Sequence, residues 1–383
     1  MRIQQWHYFA HKWNKIFSHP AFEPQKAKLV LCFGNRNLLH HKAHFDHLRR
    51  LFPQAHIVLS STAGEILSGE VYDDSIVVTA MQLERTQVRC AAEKIIQHSS
   101  SLETGKALMK ALFREDLRSV LVFSDGVRVN GTELVNGFNE ISLQNMRNIP
   151  VTGGLAGDGV MFRQTLTGLD QAPEEGMVVA VGFYGDHLKI GHGSFGGWEE
   201  FGSEMTITRA ERNVLYEIDG RNALELYKEC MGPFKDDLPG AALLFPLSLK
   251  DRVGSGHVVR TILGINEKER SMIFAGNMSE GSTVRMMKAD LENLIAASSA
   301  AAGHALHGLS DNPPGLALLI SCVGRKLVLK GRTNEEILAV NRVFGGDVPL
   351  IGFYSYGEIS PLSPKSRCEL HNQTMTITTF SEI

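Results

Sequence analysis

Residues 151–159 place four glycines within seven positions, Gly153 to Gly159, directly after an apolar run. Glycine at this density is used where the backbone takes positive φ angles or approaches another backbone or a ligand closely. Strand-like apolar segments lie on both sides, at 119–123 and 177–184. A glycine-rich turn between strands that carries a carboxylate, Asp158, could line a pocket with backbone N–H groups. It could equally be an architectural turn, and its spacing is not that of a nucleotide-binding loop.

The composition is that of an ordinary globular protein. The chain has 383 residues, enough for two or three domains, with 43% hydrophobic and 21% charged residues and a net charge of −3. This charge predicts no electrostatic attraction to nucleic acid or membranes. No apolar run reaches the ~20 residues that span a bilayer, and the first residues lack the features of a signal peptide. Five scattered cysteines form no CxxC pair, so we expect a cytoplasmic chain without disulfides or a zinc ribbon.

The first 27 residues are predicted to contain an amphipathic helix. Apolar side chains from Ile3 to Phe17 recur at helical spacing, with Arg2, Lys12 and Lys15 between them. Such a helix would dock on the body of the protein, or it would bind a partner or a membrane surface.

From Lys28 onward, strand-like runs alternate with helical segments, which predicts an α/β fold of mixed β-sheets with flanking helices. Turns at 60–65, 124–126 and 152–159 each follow a strand, where such sheets usually place their sites. We place a boundary near Gly220, between regions 28–220 and 221–362, and leave 363–383 as a tail that ends in an edge strand. A long alanine-rich helix is predicted from Ser282 to about Leu306.

Histidines occur in two patterns. A predicted helix carries His41 and, on one shared face, His40, His44 and His47. These three would either hold a metal or form a solvated surface. The role of this 40–47 face stays open.

His192 lies between two glycines in a second glycine-rich stretch, Gly191–Trp198. The glycines leave its imidazole open, and Phe195 and Trp198 could form an apolar wall beside it. Neutral imidazole is a common axial ligand of haem iron, although a lone histidine is more often an ordinary hydrogen-bonded residue. His257 and His304 are the reserves, and the small neighbours of His304 in 302–305 would let a flat macrocycle approach.

Further polar residues follow predicted strands near the carboxyl end of the chain. Arg325 and Glu358 could pair with each other or with a polar ligand. Cys322 is either a nucleophile or a small buried hydrophobe. No Ser/His/Asp order, paired-carboxylate motif or metal-ligand spacing stands out, so the sequence does not indicate an enzyme.

Taken together, these segments resemble the FIST family of sensory domains (F-box and intracellular signal transduction). Six short motifs occur in the family's order over residues 28–362. They are Ser61-Thr-Ala-Gly-Glu-Ile66, Ser124-Asp-Gly126, Val151-Thr-Gly-Gly-Leu-Ala-Gly-Asp158, Glu217-Ile-Asp-Gly220, Ser321-Cys-Val-Gly-Arg325 and Gly352-Phe-Tyr-Ser-Tyr-Gly-Glu-Ile359. The resemblance implies an N-terminal and a C-terminal FIST region, ligand sensing in signal transduction, and no catalytic activity.

Within that family the chain resembles the NosP group, haem proteins that sense nitric oxide and act on a partner histidine kinase. This resemblance implies a non-covalent haem b, and we place His192 on its iron because of that residue's setting. No kinase module is found in the sequence, so we expect the signal to pass to a separate protein, and a homodimer is possible. The alternative is a FIST sensor of a small polar ligand such as an amino acid, without haem. Its ligand would contact Gly153, Gly154, Asp158, Arg325, Tyr356 and Glu358.

Overall fold

The structure is a computed structural model that describes residues 1–238, 240–250, 257–310, 312–363 and 366–383. It confirms the mixed α/β class, with helices packed on mixed sheets. The first half contains β1 (Arg2–Phe9), β2 (Lys12–Ser18), β3 (Leu29–Gly34), α1 (Arg36–Leu39), α2 (Lys42–Leu51), β4 (His56–Ser61), β5 (Glu65–Leu67), β6 (Glu70–Tyr72), β7 (Ile76–Gln82), β8 (Gln87–Lys94), α3 (Ser101–Leu112), β9 (Leu117–Ser124), α4 (Gly131–Gln144), β10 (Val151–Leu155), β11 (Thr167–Leu169), β12 (Met177–Tyr184) and β13 (Leu188–Phe195).

The second half adds a further set of strands and the remaining described helices. They are β14 (Glu199–Glu211), β15 (Val214–Ile218), β16 (Arg221–Asn222), α5 (Ala223–Met231), β17 (Leu247–Lys250), β18 (His257–Arg260), β19 (Ile262–Asn266), β20 (Ser271–Phe274), β21 (Thr283–Lys288), α6 (Leu291–His307), β22 (Leu316–Cys322), α7 (Val323–Leu329), α8 (Thr333–Val343), β23 (Leu350–Ser355), β24 (Gly357–Pro361), β25 (Cys368–His371) and β26 (Met375–Glu382).

The described strands form four sheets. Sheet 1 has the order β11-β4-β3-β7-β1-β2, sheet 2 β25-β24-β10-β9-β12-β8, and sheet 3 β13-β26-β22-β23-β5-β6. Sheet 4 runs β18-β17-β21-β14-β15-β20-β19, with β16 beside β15. Sheets 1, 2 and 3 each contain one parallel pair: β3 with β4, β9 with β10, and β22 with β23. These central strands are buried on both faces, which explains their continuous apolar sequences.

Sheets 2 and 3 combine strands from both halves of the chain. In sheet 2, β10 pairs with β24, so that Gly154 lies opposite Glu358. In sheet 3, β5 pairs with β23. One apolar core fills the space where sheets 1, 2 and 3 meet, and each sheet contributes a phenylalanine to it. The ring centroid of Phe33 lies 5.4 Å from that of Phe123 and 4.7 Å from that of Phe353. Sheet 4 and α5 enclose a separate core.

The predicted N-terminal amphipathic helix is wrong: residues 2–18 form the β1–β2 hairpin. Ala10 and His11 make its two-residue turn, with φ of 49° and 62°. Positive φ at both central residues is the geometry that joins tightly paired strands. The aromatic and β-branched residues that suggested a helical stripe also favour strands, and pairing of β1 with β7 decides between the two structures.

Two further expectations are corrected. Residues 283–288 form strand β21 rather than the start of the alanine-rich helix, which begins at Leu291. Asp290 caps this helix by accepting a hydrogen bond from the Asn293 amide, 3.0 Å away. Within the tail, β26 lies between β13 and β22 and is therefore a central strand, not an edge strand. Its threonines are buried against neighbours on both sides.

Candidate functional site

The three turns that follow strands, at 60–65, 124–126 and 152–159, contact each other. The Gly157 amide donates to the Ser61 carbonyl over 3.0 Å, and the Ala156 amide donates to the Ser124 carbonyl over 2.7 Å. A Cβ placed on Gly126 would lie only 2.0 Å from the Ala156 carbonyl oxygen. The turns therefore pack on each other.

Gly153 and Gly154 have architectural roles in β10. Gly153 has a φ of +145°, and a Cβ there would lie 1.9 Å from the Val122 carbonyl oxygen in the neighbouring strand. A Cβ on Gly154 would lie 2.8 Å from a side-chain carbon of Ile320. Both glycines are buried and allow close packing of the sheet core.

Asp158 and Tyr356 hold the loop that follows β10. The Tyr356 hydroxyl donates to one carboxylate oxygen of Asp158, and the amides of Arg163 and Gln164 donate to the other at 3.2 and 2.9 Å. Arg36 adds an ion pair of 3.4 Å to the same oxygen. The Asp158 side chain is 1% exposed. This carboxylate is satisfied within the protein.

Arg325 pairs with Glu336, not with Glu358 as one reading of the sequence suggested. Both side chains are fully buried, and the guanidinium lies 2.8 Å from the carboxylate. Its other contacts are the carbonyls of Gly196 and Leu294, at 2.6 and 2.8 Å, and the Ser298 hydroxyl at 2.9 Å. The pair connects α6, α7, α8 and the end of β13. Because these bonds engage the guanidinium nitrogens, Arg325 is a structural cation in this conformation.

Glu358 differs from Asp158 and Arg325, because no described residue forms a close ion pair with it. It is fully buried and accepts hydrogen bonds from the Ser355 hydroxyl at 2.6 Å and from the Thr374 amide and hydroxyl at 3.1 and 2.9 Å. Burial raises the pKa of its carboxyl to about 8, against an ordinary value of 4.5. Glu358 therefore carries its proton through much of the neutral range.

Asn372 and Gln373, which the sequence analysis did not single out, are buried polar residues in the turn between two residues that meet Glu358. They form the turn between β25 and β26, whose ends both meet Glu358: His371 lies opposite it in the strand pairing, and Thr374 hydrogen-bonds it. Both side chains are fully buried. Among the described residues, neither polar side-chain atom of Asn372 has a hydrogen-bond partner, and Gln373 Oε1 also has none. The sequence signal that could have found these two residues is a short polar run between two apolar strands.

Cys322 completes this group at the end of β22. Its backbone amide donates to the Thr374 carbonyl over 3.1 Å, and the side-chain amide of Gln373 covers the adjacent Gly324. Burial raises the pKa of the thiol, which disfavours the nucleophilic thiolate. We call Cys322, Glu358, Asn372 and Gln373 the junction cluster, because sheets 2 and 3 join there.

The Gly191–Trp198 stretch is mostly strand β13, and its glycines serve helix packing. A Cβ on Gly191 would lie 1.9 Å from the Ala305 carbonyl oxygen, and one on Gly193 would lie 2.2 Å from that of Ala301. Strand β13 therefore lies directly against α6. The glycines bring the two backbones together rather than opening space around His192.

The residues predicted to hold a haem do not form one site. Because side chains alternate along a strand, His192 faces away from the side on which Gly191 and Gly193 contact α6. His304 is exposed on α6, with its ring centroid 4.7 Å from that of Phe195. Trp198 donates its indole N–H to the Gln373 carbonyl over 2.9 Å, beside the junction cluster. The haem assignment stays a prediction that this arrangement does not favour.

The histidine-bearing helix anchors the N-terminal hairpin. The His44 ring centroid lies 4.5 Å from that of Tyr8, and His47 stacks on Trp13 at 4.9 Å. Burial lowers the pKa of both imidazoles. In the part of the chain that the structure describes, no group of three or more His, Cys, Asp or Glu residues is placed to hold a metal ion.

Comparison with known domains identifies the family. Residues 28–221 match the FIST N domain, and residues 223–361 match the FIST C domain. This chain belongs to the FIST family. FIST domains are sensory domains, so the expected role in sensing and signalling is supported. The resemblance to the NosP group stays a prediction. Among the described residues, no helix is both long enough and apolar enough to cross a membrane.

Two uncharacterized proteins of Mycobacterium tuberculosis, from strains CDC 1551 / Oshkosh and ATCC 25618 / H37Rv, are similar to this FIST protein. Each is 27% identical over 196 residues, which cover 48% of this chain and 49% of the relative. The chain thus spans about half the length of the curated relatives it matches. A chorismatase crystal structure aligns over 99% of this chain and 98% of its own chain with 9% identity, but the TM-score of 0.32 is too low to indicate a shared fold.

Proposed function

We propose that this FIST protein senses a small polar ligand at the junction cluster. The main support is the Asn372 carboxamide. It is fully buried and, within the described ranges, its oxygen and nitrogen both lack a hydrogen-bond partner. Leaving a buried polar group unsatisfied costs about 1–3 kcal/mol. A ligand with an acceptor and a donor side by side would recover that cost.

Glu358 suggests that the ligand carries an amine. Burial raises the pKa of its carboxyl to about 8, more than the hydrogen bonds from Ser355 and Thr374 lower it, which favours the protonated form near neutral pH. A ligand ammonium would supply the missing positive charge and favour the carboxylate form. The Asn372 amide could then donate to a ligand carboxylate. An amino acid fits these groups, with Arg325 and Asp158 acting as structural supports rather than as ligand contacts.

Binding at this cluster would act on the connection between two sheets. The turn at 371–374 links β25 of sheet 2 to β26 of sheet 3. A ligand that holds this turn would favour one arrangement of the sheets, and a partner that binds this arrangement more tightly would respond to it. The resemblance to the NosP group implies a sensor histidine kinase as that partner.

The test is a thermal-unfolding screen of amino acids and simple amines, followed by calorimetric titration. A ligand at about 100 times its Kd should stabilise the protein by about 2–3 kcal/mol. Glu358→Gln and Asn372→Ala should abolish that gain, whereas Glu65→Gln should retain it. Glu65 is the matched control, because it is a second buried carboxyl whose pKa is raised to about 8, outside the cluster. Equal stabilisation of all variants would refute the site.

The predicted haem sensor of nitric oxide is the second candidate, and one observation supports it. Burial lowers the pKa of His192, which keeps its imidazole in the neutral form that binds iron. The test is the absorption spectrum of reduced protein supplied with haem, before and after nitric oxide, with His192→Ala and His304→Ala beside it. A stoichiometric Soret band that nitric oxide shifts and that His192→Ala removes would favour haem over the amine ligand.

A further inference from the structure

The outer strand of the N-terminal hairpin is an open sheet edge. Strand β2 is the last strand of sheet 1, and among the described residues no strand pairs with its outer side. Unpaired backbone groups on such an edge form a template for a strand from another chain. The hairpin also lies outside the two matched FIST ranges, which begin at residue 28.

A β-bulge turns two adjacent apolar side chains toward one cleft. The register of the hairpin shifts between Gln5, which lies opposite Phe17, and Trp6, which lies opposite Lys15. Ile16 is the extra residue, and a bulge of this kind re-aims side chains at a sheet edge. Ile16 and Phe17 are 46% and 39% exposed.

The cleft beside them has a volume of about 180 Å³. Ile16 and Phe17 line it on one side, and the segment 346–350 lines it on the other. Asp347 is the charged residue in that lining. A cleft of this size accepts one apolar side chain, so the bulge sets a side-chain pocket next to an open backbone edge.

The charge on the edge selects the occupant. Lys12 and Lys15 are exposed on β2 and lie on opposite faces of it, since three positions separate them, so an incoming strand with an acidic residue on each face gains attraction from both. A second copy of this strand brings the same two lysines. We propose that β2 binds an extended acidic segment of a partner protein by strand addition, with one apolar side chain of that segment in the 346–350 cleft.

The probe is a fluorescent peptide of about eight valine and glutamate residues, a length typical of single strands, with two glutamates three positions apart so that one lies on each face. Fluorescence anisotropy should show saturable binding to the full chain. The same peptide with alternate backbone amides methylated is the matched control, because methylation removes the hydrogen bonds that strand addition requires. A peptide with lysine in place of glutamate tests the charge.

Three variants locate the site. The double variant Lys12→Glu, Lys15→Glu should bind the acidic peptide about tenfold or more weakly and should bind the lysine peptide better. The double variant Ile16→Ser, Phe17→Ser should bind both peptides more weakly. Phe234→Ser, at a phenylalanine 45% exposed elsewhere, should change nothing. All five side chains are exposed, so the fold should persist, as circular dichroism would verify.

Equal binding of the methylated peptide, or an unchanged affinity in the double lysine variant, would overturn the proposal. Dimerisation in analytical ultracentrifugation that Ile16→Ser with Phe17→Ser abolishes would also overturn it, since the edge would then serve a second copy.

Discussion

Glu358 and Glu65 are buried carboxyl groups that bind protons more tightly in the folded protein than in the unfolded chain. Burial raises the pKa of each carboxyl from 4.5 to about 8, so the folded state binds protons that the unfolded chain releases near pH 4.5. Stability from this source is fully present below the unfolded pKa and is lost as pH rises through about 8.

We therefore predict that the free energy of unfolding falls between about pH 5 and about pH 8, by up to roughly 1.4 kcal/mol per pH unit for each carboxyl. Glu358→Gln should flatten this slope, and Glu65→Gln should do so by a similar amount. Urea unfolding across this range measures both. Glu204→Gln, at an exposed position, is the control. A wild-type slope that neither variant changes would contradict the assignment.

The ion pair of Arg325 with Glu336 makes a second prediction at this scale. Arg325→Met leaves the Glu336 carboxylate buried without its cation, which costs about 3–5 kcal/mol of stability. Arg342→Met, the same change at an exposed position of α8, should stay within about 0.5 kcal/mol of wild type. A loss below about 1 kcal/mol in Arg325→Met would mean that the pair is dispensable.

At the scale of elements, α6 packs on β13 through small residues on both sides. Gly191 and Gly193 of the strand meet the backbone at Ala305 and Ala301, four residues apart on the helix. Four residues is close to one helical turn, so the contact repeats along one helix face. The alanine-rich composition of α6 therefore reflects this close approach.

Gly191→Ala should consequently lower the melting temperature, because its Cβ would lie 1.9 Å from a carbonyl oxygen and the helix must move. Overpacking of this kind costs about 1–3 kcal/mol. Gly303→Ala is the matched control within α6, since a Cβ there meets nothing within 4 Å. It should stabilise the helix by up to about 1 kcal/mol. Equal melting temperatures for the two variants would argue against the packing.

Elements with one dominant signal could be predicted from the sequence. The apolar runs at 119–123 and 177–184 are strands because burial on both faces needs such runs. The helix predicted for residues 3–17 is wrong because their aromatic residues suit both a helix and a strand. The contact that decides for the strand is with β7, which is remote in sequence.

The candidate site shows the same limit. Glu358 could be predicted as a ligand residue, because it is a charged residue that follows a predicted strand. Asn372 and Gln373 could not, since their importance lies in the Asn372 carboxamide and Gln373 Oε1 having no hydrogen-bond partner among the described residues, and this property exists only once the surroundings are packed. The roles of Asp158 and Arg325 were hidden for the opposite reason: their partners, such as Tyr356 and Glu336, come from distant or unremarkable positions.

For the whole molecule, the two FIST regions are sequence units that share sheets. Strand β5 pairs with β23, and β10 pairs with β24, so both pairs cross the proposed boundary near Gly220. Residues 1–220 alone would expose these strands and the core face that Phe353 covers.

We predict that a 1–220 fragment lacks a cooperative thermal transition, whereas the full chain has one. Differential scanning calorimetry and amide proton dispersion in NMR measure this directly. Mixing 1–220 with 221–383 provides the control, because complementation would restore the shared sheets. A sharp transition in the isolated fragment would show that the first region folds on its own.

The placement of the tryptophans gives this chain built-in optical reporters. Its three tryptophans fall into two groups, Trp6 and Trp13 on the hairpin and Trp198 against the carbonyl of Gln373. Indole emission responds to the local field and to hydrogen bonding. A Trp6→Phe, Trp13→Phe protein would therefore emit from the junction cluster alone, and Trp198→Phe would emit from the open edge alone. Occupancy of the two proposed sites could then be followed separately, in solution and without a label.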